Sequence, residues 1–159
     1  MKPFKFTLQA VRILREREEQ AALEEYANAV RARQLAFQQV ENARFELQEK
    51  WTELNLKLQN GVTAGELSQL HIFCKALQDK LADAEECLRK AKAHAHLCWK
   101  KLMTARQKRE TVDKYFKKQL LKYQKECFRD EQKLIDELSI RRSPIKDNSL
   151  LKFDLNLNG

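Results

Sequence analysis

The 159 residues carry a formal net charge of +8, and a third of them are charged. Only three Gly and two Pro interrupt the chain, and Pro3 and Pro144 lie near its ends. So few breakers exclude a many-turned fold. Charges of alternating sign suit a long helical pair with a narrow apolar seam and a wet surface.

Phe4 to Thr7 precede the first helix, which is expected over about 7–59. Thr7 is its expected N-cap, with Phe6 and Val11 placed as a hydrophobic staple. Its seam is Leu8, Val11, Ala22, Tyr26, Ala29, Ala36, Val40, Ala43, Leu47, Trp51, Leu54 and Leu58. Two four-residue steps meet around Leu47 to Trp51, a local phase slip. Ala22, Ala29, Ala36 and Ala43 are small enough for close helix approach.

A turn is expected over 60–64. Asn60-Gly61 tolerates the left-handed backbone that ends a helix. Thr63 and Glu66 form a T-x-x-E capping box, with Val62 and Leu67 at the staple positions. The chain therefore reverses, and the helices must lie antiparallel.

The second helix is expected over about 64–142, stopped by Ser143-Pro144. From Leu67 to Tyr123 apolar residues recur in alternating steps of three and four, broken only by Arg109 and Gln119. A mean step of 3.5 keeps one face on a partner helix, which is coiled-coil geometry. The fold class expected is all-α: a long antiparallel two-helix coiled-coil hairpin, spanning 1–142, with a longer second helix.

The turn sets the register. Residues whose numbers add to about 124 should face each other, placing Trp51 near Phe73, Tyr26 near Cys98 and Leu8 opposite Phe116. Helix 2 should then overhang by about 35–40 Å at 1.5 Å per residue. Residues 100–142 hold fourteen Lys or Arg against seven Asp or Glu, nearly all of the excess charge. The tail, 143–159, is expected to be disordered. Its alternating Leu151, Phe153, Leu155 and Leu157 also suit a docking strand.

No catalytic constellation is present: no Gly-rich phosphate loop, no G-x-S-x-G, no H-E-x-x-H. No apolar run suits a signal peptide or membrane span, so a cytoplasmic chain is expected. Cys74, Cys87, Cys98 and Cys127 show no C-x-x-C pair and are expected as reduced thiols, Cys74 and Cys98 filling the seam. His94 and Cys98 lie one turn apart, with Cys87 on a similar face. A fixed zinc site takes four ligands, so seam packing is the preferred reading. No metal or cofactor is expected.

The basic block Lys100 to Lys133 could attract nucleic acid or anionic lipid. Against lipid, the helix lacks a broad apolar face; against specific nucleic-acid reading, no reading motif is present. Phe45, Leu56, Ile72, Phe73 and Trp99 lie off the seam, more than a hairpin can bury, and suggest partner docking.

From Phe4 to Arg142 the chain resembles the FliJ-type proteins of the flagellar type III export apparatus, related to the O-type stalk proteins of injectisomes. The opening Phe6-Thr7-Leu8-Gln9-Ala10-Val11 with Glu18-Glu19, the Asn60-Gly61 turn, and the closing Glu131-Gln132-Lys133-Leu134-Ile135-Asp136-Glu137-Leu138 carry that resemblance. It implies a non-enzymatic central stalk. Its terminal end enters the ring of the export ATPase hexamer and promotes ring assembly and turnover. Its surface near the hairpin engages the cytoplasmic linker of the membrane-embedded export gate, and it escorts substrate chaperones. Such a protein is cytoplasmic and peripheral to the membrane-bound apparatus.

The implied gate patch falls on Gln39, Ala43, Phe73 and Leu77, with Phe45 added beside two expected aromatic positions that hold Glu46 and Lys50 here. Lys114, Lys117, Lys118, Lys122 and Lys125 are the residues expected at the ATPase ring. The alternative is a basic coiled-coil module binding nucleic acid or ribosomes.

Overall fold

The computed structural model describes residues 2–142. The expectations for the tail, including Leu151, Phe153, Leu155 and Leu157, lie outside the described residues. Two helices, α1 (Gln9–Asn60) and α2 (Ala64–Arg142), pack against each other as a hairpin with α2 the longer. The described residues fall into two compact units, one of residues 7–113 and one of residues 2–6 with 114–142.

In the first unit the seam buries Ala29, Ala36, Val40, Ala43 and Leu54 of α1 against Cys74, Leu77, Ala95, Cys98 and Leu102 of α2. Val40 and Ala43 are each 1% exposed, which reflects the close approach that small side chains allow. Tyr26 packs on the cluster of Ala29, Ala95 and Cys98, as the register requires. Glu46–Lys80 and Arg12–Asp113 also join positions whose numbers add to about 126.

The turn rests on one residue in the left-handed region, Gly61 (φ 86°); Asn60 stays helical. A Cβ at Gly61 would meet no neighbour within 4 Å, so its requirement is backbone conformation, not space. The Glu66 amide donates to Thr63 Oγ at 3.4 Å, and the Leu67 amide reaches the Thr63 carbonyl at 3.1 Å. Thr63 thus caps α2.

Three sequence expectations are corrected. First, α1 begins at Gln9 after Leu8, which caps it without a side-chain hydrogen bond, so Thr7 is not the N-cap. Residues 2–6 remain non-helical and lay two rings on α2. Phe6 meets Phe116 edge-on at 5.1 Å and Tyr115 at 6.0 Å, while Phe4 meets Phe116 at 5.8 Å and Tyr123 at 5.3 Å. The Tyr123 hydroxyl donates to the Lys2 carbonyl at 2.7 Å. Phe4 and Phe6 are half-buried there and gain edge-on and tilted ring contacts.

Second, that segment packs along the first part of the expected overhang, as far as Tyr123, which shortens it. The stretch of α2 in which every residue is exposed is 128–142.

Third, Trp51 is 42% exposed and outside the seam. The seam passes Ala43, Leu47, Lys50 and Leu54 in steps of four, three and four, without a phase slip. Lys50 can occupy a seam position because its alkyl stem packs while its ammonium reaches out. It lies 2.7 Å from Glu53 and 5.1 Å from the centre of the Phe73 ring.

A charged layer crosses the seam between Val11 and Ala22 of α1, where Ile13 and Leu14 are exposed, at 41% and 50%, and do not fill it. Arg109 bonds Glu19 across the helices and Asp113 at 2.6 Å along α2, and Arg12 reaches Asp113 at 3.1 Å. These side chains are about a quarter exposed, so water still screens the layer.

Candidate docking surfaces

The residues of the implied gate patch separate into two groups. Ala43 and Leu77 are buried in the seam, out of reach of any partner. Gln39, Phe45 and Phe73 are exposed. At about 100° per residue, Gln39 projects from the side of α1 that carries Glu46 and Lys50, whereas Phe45 projects from its back. Phe73 stands on the same side as the Glu46–Lys80 pair, whose atoms are 2.7 Å apart. The exposed face therefore has one aromatic ring, framed by Lys50 with Glu53 and by Glu46 with Lys80. The Glu53 carboxyl is held below its ordinary pKa, chiefly by the hydrogen bond from Lys50, and Lys50 is raised by Glu53 in return. Both groups stay charged at neutral pH, and the cation over Phe73 is maintained.

The second surface lies in the unit of residues 2–6 and 114–142. Lys114, Lys117, Lys118, Lys122 and Lys125 line one open groove together with Leu121. They recur at i, i+3, i+4, i+8 and i+11, which is one side of a helix. Among the described residues none of the five makes an ion pair within 4.0 Å, whereas the hairpin nearer the turn pairs Arg44 with Glu85 and Lys80 with Glu46. No Asp or Glu occurs from 114 to 125.

His94 Nε2 and Cys98 Sγ are 3.6 Å apart, with Cys98 in the seam. Among the described residues no group of three or more His, Cys, Asp or Glu could hold a metal ion. No described helix is long and apolar enough to cross a membrane.

The family model described as "Flagellar FliJ protein" matches residues 4–144. The chain belongs to the FliJ family. No curated protein and no solved structure matches it. FliJ membership makes the chain a non-catalytic component related to flagellar protein export. Sequence reasoning missed the charged layer and the aromatic clasp of Phe4 and Phe6. The register set Leu8 opposite Phe116, whereas the ring that meets Phe116 and Tyr115 is that of Phe6, in the non-helical segment before α1.

Proposed function

We propose that the chain is the central stalk of the flagellar export apparatus, promoting assembly and turnover of the export ATPase ring through the terminal half of α2. The observation that carries this reading is the row of five lysines on one side of that helix, with no Asp or Glu among residues 114–125. A dense cationic row without carboxylates seeks a partner wall rich in acidic or carbonyl groups. Near the turn, Phe73 and Gln39 are the exposed residues offered to the cytoplasmic linker of the export gate, and Phe45, on the back of α1, lies outside that face. Ala43 and Leu77 support that surface from beneath. Escort of substrate chaperones completes the role, carried out in the cytoplasm at the periphery of the membrane-bound apparatus.

The test is ATPase stimulation by Lys117→Glu/Lys118→Glu/Lys122→Glu. Stimulation should be lost with helicity retained by circular dichroism. Unchanged stimulation would reduce the lysine row to a solubility feature. The acid-free row also suits a nucleic-acid backbone. A salt-sensitive mobility shift with unrelated DNA favours that second role, and stimulation insensitive to nuclease favours the stalk.

A further inference from the structure

The lysine row has an apolar centre that the stalk role does not use. Leu121 is 57% exposed and Phe128 is 68% exposed, and Ile135 continues the line one heptad further. At about 100° per residue, Lys114, Lys117, Lys125, Phe128 and Ile135 all fall within about 40° of Leu121 around the helix axis. The clasp of residues 2–6 occupies a different side, against Phe116 and Tyr123. Among the described residues nothing covers this face, which is cationic along its first three turns and apolar down its middle.

We propose that this outward face of α2 binds an anionic lipid surface, lying in the headgroup region with Leu121 and Phe128 inserted and the lysines on the phosphates. Three observations favour lipid over other polyanions. The charge from 114 to 125 is carried by Lys alone, with no Arg. Lysine is a point charge on a flexible stem and lacks the fork that recognises one carboxylate or phosphate in fixed geometry; it suits a diffuse field. Its stem can lie along apolar surface while the ammonium reaches headgroups. Finally, a nucleic-acid backbone gives nothing to an exposed Leu or Phe, whereas an interfacial helix uses such residues directly. The apolar line is narrow, so attraction to anionic headgroups supplies most of the binding, and binding must weaken as salt rises.

The experiment is sedimentation of the full chain with phosphatidylcholine vesicles, with and without about a third of phosphatidylglycerol, at low and physiological salt. Binding is expected only to the anionic vesicles. Lys114→Glu/Lys117→Glu/Lys125→Glu should lower it by about a hundredfold or more. Leu121→Ser/Phe128→Ser should lower it about tenfold with the charge unchanged. Far-ultraviolet circular dichroism checks each variant, and these exposed positions leave the seam intact. No sedimentation with anionic vesicles at low salt overturns the proposal. So does binding that ignores Leu121→Ser/Phe128→Ser while duplex DNA competes equally, which would assign the face to nucleic acid. The assay contains no ATPase, so its outcome is independent of the stalk role.

Discussion

Phe73 and Leu77 stand one helical turn apart and are expected to behave in opposite ways. Leu77 is buried, so Leu77→Ala removes packed atoms and leaves a gap the seam closes only in part. A loss of about 2–4 kcal/mol in denaturant unfolding is expected. Phe73 is 48% exposed beneath the Lys50 ammonium. Phe73→Ala should weaken binding to the gate linker while changing the melting temperature little. A melting loss as large as that of Leu77→Ala would show that Phe73 is core. The family resemblance named both residues, and burial decides which of them a partner can touch.

At the level of the element, the non-helical segment before α1 is fastened by rings and by the Tyr123 hydroxyl. That phenol is held above its ordinary pKa, first by its hydrogen bond with Cys127 and then by desolvation. A raised value means that the folded state favours the neutral, donating form. The contribution is therefore complete below the ordinary tyrosine value of about 10 and is lost as pH rises through the higher folded value. Thermal melts at increasing alkaline pH should show this loss in the native chain. Tyr123→Phe should lack that component, and identical profiles for the two proteins would remove the hydroxyl from the account. Sequence periodicity found α2 because its apolar repeat runs almost unbroken from Leu67 to Tyr123. It misplaced Trp51, because a hydrophobicity pattern takes the indole for core and cannot foresee that a lysine stem fills the seam at Lys50. The lysine row was likewise visible as charge. That its members surround an exposed Leu121, and make no ion pair among the described residues, depended on three-dimensional neighbours.

For the whole molecule, the turn determines which residue of α1 meets which of α2. Cysteines introduced at Leu54 and Leu70 should crosslink within one chain, since both lie in the seam a few residues from Gly61. Crosslinks formed only between chains, read on a denaturing gel after oxidation, would show a parallel dimer instead of a hairpin. The antiparallel fold itself was legible from four residues, Asn60, Gly61, Thr63 and Glu66, because a capped reversal between two long amphipathic helices permits no other arrangement.

The charged layer has a consequence for alignment. A heptad repeat of Ala, Val and Leu is nearly blind to a slip of seven residues, since one small apolar side chain replaces another. The layer is not blind to it. A slip in one direction would bring Arg109 from Glu19 to Arg12, cation against cation; in the other it would meet Tyr26, leaving Glu19 without its guanidinium. Arg109 thus works as a key that fits one position of the lock. Its cost in burial is modest, and within residues 7–113 it leaves the two helices one alignment in place of several.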